Sequence, residues 1–111
     1  HRDAARACRG GCADILNIKL MKCGGLFRAS QINSIAEAFG VGCMVGCMME
    51  TKLATTAGVS LVAAKKNITE ADCDSFLFYA DEQTGMTGGF TRENDIFTLL
   101  DAPGFGLDLS F

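Results

Sequence analysis

The apolar and polar positions in residues 14–25 alternate in a way that predicts a β-strand followed by a flexible turn. Strand side chains point to opposite faces in turn, and the apolar face here consists of Leu16, Ile18 and Leu20. The other face becomes polar and finishes in Lys19, shortly before Gly24-Gly25. In parallel sheets the chemistry lies at the carboxyl ends of strands, where this lysine is expected. The local pattern alone favours an ordinary exposed lysine.

The remaining pattern alternates between helical and strand periods. The predicted elements are helices over residues 3–9, 26–39 and 51–66 and, after the first strand, strands over residues 43–47 and 68–74. Gly40 is a natural helix stop, and the small or apolar residues 43–47 are typical of a strand covered on both faces. Right-handed crossovers then place three parallel strands side by side with helices on one side, an α/β fold. The pattern of residues 90–100 predicts a strand or a short helix.

Length and charge exclude several classes of protein. The 111 residues suffice for one modest domain. The net charge of −3, with acidic and basic residues interspersed, gives no indication of a nucleic-acid or membrane-surface partner. Apolar runs fall far short of the roughly 18 residues that a membrane span needs. The charged first residues lack the apolar core of a signal peptide, so we expect a cytoplasmic protein.

The six cysteines could indicate a secreted disulfide scaffold or a metal site. Three of them fall in strands that are predicted to be buried, namely Cys43, Cys47 and Cys73. The Cys-x-x-x-Cys spacings differ from those of a zinc knuckle, and the single histidine is the first residue. We therefore expect reduced thiols that pack as small apolar side chains.

Three segments carry a resemblance to a known family: residues 17–25, residues 43–51 and Asp72-Cys73-Asp74. In this order and spacing they resemble the enolase superfamily, and most of all the dipeptide epimerases of its muconate-lactonizing subgroup. The resemblance covers about residues 3–78 and weakens afterwards. It implies the C-terminal part of an enolase-type (β/α)-barrel, and because a complete barrel takes roughly 250 residues, the barrel is incomplete in this chain.

The resemblance also implies a domain organisation and a reaction. Residues 1–78 would be the last βα units of the barrel, and residues 79–111 a segment that returns toward a capping domain. The reaction would be that of an L-Ala-D/L-Glu-type dipeptide epimerase, a metal-assisted 1,1-proton transfer at the carbon alpha to a carboxylate. Lys19 would be one of two acid–base lysines on opposite faces of that carbon.

The resemblance assigns substrate-binding roles to four residues: Asp72, Asp74, Cys47 and Met49. Asp72 and Asp74 are two positions apart, so both project to one face, and two like charges there favour a nearby cation. By resemblance that cation is the α-ammonium group of a dipeptide. From the residues alone, a solvated aspartate pair beside a turn or a weak metal site stays open. Cys47 and Met49 would line the pocket, Cys47 where a serine often occurs.

Other parts of the resembled site have no candidate in this chain. The second catalytic lysine and the three acidic Mg²⁺ ligands belong to earlier strands, so we assign no metal ligand here and expect the isolated chain to be inactive. Mg²⁺ is the expected cofactor of the full-length enzyme. Its expected partners are a dipeptide substrate, the remainder of the barrel with the capping domain, and further copies in a homo-oligomer.

Two alternatives remain open. The first is a muconate-type cycloisomerase or an N-acylamino acid racemase of the same superfamily, although a cycloisomerase whose substrate lacks an amine has no need of Asp72 and Asp74. The second is a non-catalytic α/β interaction module, since an incomplete barrel leaves sheet edges and apolar helix faces open to a partner.

Overall fold

Three parallel strands form the central sheet of the chain, whose computed structural model describes residues 1–78 and 85–110. The strands are Ile15–Ile18 (β1), Gly42–Gly46 (β2) and Ile68–Asp72 (β3), and they lie in that order. Ile15 is in register with Gly42 at one end of the sheet, and Gly46 is in register with Asp72 at the other. The predicted set of three neighbouring parallel strands is confirmed.

Four α-helices precede or connect these strands: Arg2–Arg9 (α1) before β1, Leu20–Cys23 (α2) and Leu26–Ala38 (α3) between β1 and β2, and Lys52–Ala64 (α4) between β2 and β3. Their small side chains allow close packing on the sheet, because Ala29 and Ala36 are completely buried together with Cys43. Ile18 and Val45 complete this apolar layer. On the opposite face of β2, Met44 is only half-buried, so the expected cover on both faces is partial within the described residues.

The first strand ends earlier than predicted. It stops at Ile18, and residues 20–23 form the one-turn helix α2, with the Cys23 N–H donating to the Lys19 carbonyl at 2.9 Å. Gly24, at φ 91°, then adopts the left-handed conformation that closes such a helix. Leu20 is therefore buried as a helix residue, whereas the sequence pattern placed it on the strand face.

Helix ends were predicted with mixed success. Gly40 follows α3 at φ 69° and stops it as expected. Helix α4 ends at Ala64, because Lys65 is extended at φ −130° and ψ 111°, so the prediction that the helix continues to Lys66 is wrong. The Asn67 side chain donates to the Val41 carbonyl at 3.0 Å and so connects the residue before β3 to the residue before β2.

Within residues 75–78 and 85–110, the C-terminal part forms a short 3₁₀-helix, Ser75–Phe78, and two antiparallel strand pairs. The strands are Met86–Gly88 (β4), Phe90–Glu93 (β5), Ile96–Leu99 (β6) and Leu107–Leu109 (β7), with β4 paired to β7 and β5 to β6. Residues 90–99, where the pattern predicts a strand or a short helix, form a hairpin of β5 and β6 that turns at Asn94, with φ 53°. Phe97 packs against the core. Residues 79–84 and 111, part of the predicted segment 79–111, lie outside the described residues.

All six cysteines are free thiols, and Cys8, Cys43 and Cys73 are buried. Cys47, which was also predicted to be buried, is half-buried, and the reduced state of the thiols stays a prediction. Within residues 1–78 and 85–110, every helix is too short or too polar to span a bilayer.

Candidate functional site

Lys19 lies at the carboxyl end of β1, as the residue that precedes helix α2. Its side chain is half-buried, and the Nζ atom donates a hydrogen bond of 2.9 Å to the backbone carbonyl of Cys47. Because β1 and β2 are neighbouring parallel strands, their carboxyl ends lie at the same edge of the sheet. The lysine nitrogen is thus directed across that edge toward the end of β2.

Cys47 connects this lysine to the third strand. It follows β2 directly and is half-buried. While its carbonyl accepts the hydrogen bond from Lys19, its thiol donates to Oδ1 of Asp74 at 3.0 Å. Cys47 therefore binds the ammonium group of Lys19 through its carbonyl and the carboxylate of Asp74 through its thiol.

Asp72 and Asp74 lie at the end of β3 and two residues later, and both are exposed. One carboxylate oxygen of each and the Sγ atom of Cys47 all lie within 4.8 Å of one another. The structure therefore brings together four of the five predicted site residues. Hereafter Asp72 and Asp74 are called the carboxylate pair.

Met49, the fifth predicted residue, lies in the turn between β2 and α4. Its side chain is 62% exposed. Met49 is two residues after Cys47 in the sequence, and its role as a pocket-lining contact stays a prediction.

The sequence pattern predicts no role for Ser75 and no separate role for Glu50. Ser75 is completely buried, and its hydroxyl donates to the Met48 carbonyl and accepts the N–H of Glu50 at 3.2 Å. Glu50 is only 4% exposed, and one of its carboxylate oxygens has no partner among the described residues. A serine that directly follows Asp-x-Asp was a weak signal, since no pattern in the chain reveals the partners of its hydroxyl.

The surroundings of Cys73 show that the site is anionic. Burial is the main cause that raises the pKa of the Cys73 thiol to about 12, and the nearby acidic groups add to the shift, namely Cys47, Glu50, Asp72 and Asp74 in that order. This thiol, between the two aspartates in sequence, therefore keeps its proton above pH 9, where an ordinary cysteine loses it. A group of carboxylates with this arrangement favours a bound cation.

The cluster of Cys47, Asp72 and Asp74 has the composition of a metal site, but it does not fit Mg²⁺. Mg²⁺ takes hard oxygen ligands in a near-octahedral arrangement, and a thiol is a soft ligand. Two exposed carboxylates and a thiol are poorly matched to that geometry. An organic ammonium group, which needs only hydrogen-bond acceptors and negative charge, fits these residues better.

Comparisons with known proteins agree in fold and family. The family described as Enolase C-terminal domain-like matches residues 1–110. The chain is 41% identical over 107 residues to an L-Ala-D/L-Glu epimerase of Clostridium acetobutylicum, which covers 96% of this chain and 29% of that protein.

Two solved structures are similar over nearly the whole chain. A substrate-liganded complex of the L-Ala-D/L-Glu epimerase from Bacillus subtilis has a TM-score of 0.91 and 42% identity, covering 97% of this chain and 30% of the other. A dipeptide epimerase from Enterococcus faecalis, in complex with Mg and the dipeptide L-Leu-L-Tyr, has a TM-score of 0.86 and 43% identity, covering 96% and 30%. This chain spans about 30% of the length of these relatives.

Proposed function

Because the chain belongs to the Enolase C-terminal domain-like family, we propose that the whole enzyme is a dipeptide epimerase. It would catalyse 1,1-proton transfer at the carbon alpha to a carboxylate, on a substrate of the L-Ala-D/L-Glu type. One observation carries the proposal: at one edge of the sheet, the Lys19 ammonium binds the carbonyl of Cys47, and the carboxylate pair lies beside the thiol of the same residue. The names of the similar proteins support the same reaction.

Lys19 would act as one of the two acid–base groups. A proton-transfer group has to be fixed within hydrogen-bond reach of the substrate carbon before its acidity matters. The bond to the Cys47 carbonyl supplies this restraint, while a lysine nitrogen retains further positions for a proton that moves to or from the substrate. The half-buried side chain reaches the mouth of the site without being enclosed in the core.

The carboxylate pair would bind the α-ammonium group of the dipeptide. Both carboxylates are exposed and therefore accessible, and the Cys47 thiol orients Asp74 through a charge-assisted hydrogen bond. This contact would distinguish dipeptides from the amine-free substrate of a cycloisomerase. Cys47 and Met49 would border the substrate between Lys19 and the pair.

The cofactor and the assembly of the whole enzyme depend on residues outside this chain. Mg²⁺ would be its cofactor, held by ligands that the described cluster does not provide. Two further statements stay predictions. Residues 79–111 would return toward a capping domain, and the whole enzyme would be a homo-oligomer.

The test is to follow the substrate α-proton by NMR in D₂O with the full-length enzyme. L-Ala-L-Glu and L-Ala-D-Glu should interconvert, whereas muconate and N-acylamino acids should be poor substrates. Lys19→Met should slow epimerisation by about 10²–10⁴-fold, the usual contribution of a positioned acid–base group. Because the second lysine remains, this variant should still exchange the α-proton of one epimer alone.

Lys22→Met is the matched control, since Lys22 is exposed and only three residues away from Lys19. It should retain wild-type rates. A wild-type enzyme that lactonizes muconate and ignores dipeptides would refute the proposal, as would a Lys19→Met variant that epimerises normally.

A further inference from the structure

Ser75 connects two segments of the site through a single buried hydroxyl. It follows Asp74 directly and begins the 3₁₀-helix. The hydroxyl donates to the carbonyl of Met48 and accepts the N–H of Glu50. One side chain thus pairs with both an acceptor and a donor of the turn that follows β2.

These bonds lie beyond the point where the sheet restrains the two segments. The ladder between β2 and β3 ends at the pair of Gly46 and Asp72. The turn after it carries the carbonyl that binds Lys19, and the segment opposite carries Asp74. The thiol of Cys47 joins the two on the accessible side, and Ser75, with no exposed surface, joins them from the buried side.

We propose that Ser75 is a positioning residue, which sets the distance between the carboxylate pair and the carbonyl that binds Lys19. The inference rests on the proposed dipeptide epimerase function. A hydroxyl suits this place because it donates and accepts at once, whereas alanine does neither and a thiol does both weakly. A displacement of about 1 Å between substrate-positioning groups can reduce a rate by about 10²-fold.

The test compares two substrates of the full-length enzyme in Ser75→Ala and Ser75→Thr variants. One substrate is a dipeptide with a free α-ammonium group, and the other is its N-acetyl derivative, which lacks that charge. Ser75→Ala should lower kcat/KM for the free dipeptide by about tenfold or more, mainly through KM, because ammonium binding is lost from ground and transition states alike. The N-acetyl derivative should change far less, and Ser75→Thr, which retains the hydroxyl, should restore the preference.

Equal losses for both substrates would show a purely structural role and overturn the inference. An unchanged preference for the free amine in Ser75→Ala would overturn it as well. Thermal unfolding checks each variant, and Ser75→Cys, which is close in volume, replaces Ser75→Ala if that variant does not fold. A wild-type enzyme without activity on dipeptides would overturn the proposed function and this inference together, whereas the other outcomes concern Ser75 alone.

Discussion

At the scale of single residues, Cys47 occupies the centre of the site because two of its atoms bind two different neighbours. Its carbonyl accepts from Lys19, and its thiol donates to Asp74. The carbonyl is independent of the side chain, so a serine at this position would preserve the bond to Lys19 and offer a stronger donor to Asp74. The thiol is therefore compatible with the site without being required by it.

Cys73 makes the stability of the fold depend on pH. Burial, followed by the nearby negative charges, raises the pKa of its thiol from 9.0 to about 12. Between these two values the folded protein keeps a proton that the unfolded chain has lost. The free energy of unfolding should therefore be unaffected by this group below pH 9 and decrease as the pH rises from there toward 12.

Cys73→Ser removes the titrating group with little change in volume. The difference in unfolding free energy between the two proteins should change by about 1.4 kcal/mol per pH unit between pH 9 and 12. Urea titrations over this range measure both curves. Parallel curves would show that burial does not hold this thiol in its neutral form.

At the scale of elements, the boundary between β1 and α2 shows what a periodic pattern misses. Alternation continues through Leu20, but the chain leaves the strand at Ile18. Backbone hydrogen bonds back to Lys19 and the left-handed cap at Gly24 decide that boundary. Lys19 is placed at the strand end either way, so its position could be predicted from sequence although the following helix could not.

The β4–β7 pair provides a test of close backbone approach. A Cβ atom at Gly88, where φ is 82°, would lie 2.3 Å from the backbone carbonyl oxygen of Gly106. Gly104 also has a positive φ, 66°, but its Cβ atom would meet nothing within 4 Å. Comparing substitutions at Gly88 and Gly104 therefore distinguishes the cost of backbone strain from the cost of steric overlap.

Gly104→Ala should cost about 1–2 kcal/mol of unfolding free energy through backbone strain alone. Gly88→Ala carries the same strain plus the overlap, and should cost about 1–3 kcal/mol more. Chemical denaturation of the two variants measures the difference. Equal losses would mean that the β4–β7 pair can separate to admit a methyl group.

At the scale of the whole molecule, both edges of the sheet are open among the residues that the structure describes. In the order β1-β2-β3, the outer strands each pair on one side only within the described residues. Large apolar side chains are also exposed, among them Ile15, Phe27 and Leu77. Open edges and apolar surface of this kind are what an incomplete barrel presents to the rest of the enzyme or to another chain.

The 111-residue chain by itself is expected to be inactive. Its cluster does not fit Mg²⁺, and the resemblance places the second acid–base lysine elsewhere. Calorimetry with Mg²⁺ should show no saturable binding, and NMR in D₂O should show no epimerisation of L-Ala-D-Glu. Turnover by this chain alone would contradict the assignment of the missing groups, and the full-length enzyme assayed in parallel is the positive control.

The sequence by itself determined the three strands of the parallel sheet, the longer helices α1, α3 and α4, and the residue types at the strand ends, because periodicity and spacing are local properties of the chain. The resemblance added expected roles for Lys19 and the carboxylate pair, and those roles stay proposals. Only the tertiary structure decided that Cys47 binds both Lys19 and Asp74, that Ser75 bridges the two segments beneath the site, and that burial raises the pKa of Cys73. Each of these depends on contacts between residues about 25 or more positions apart, or on burial, and neither is encoded in a local pattern.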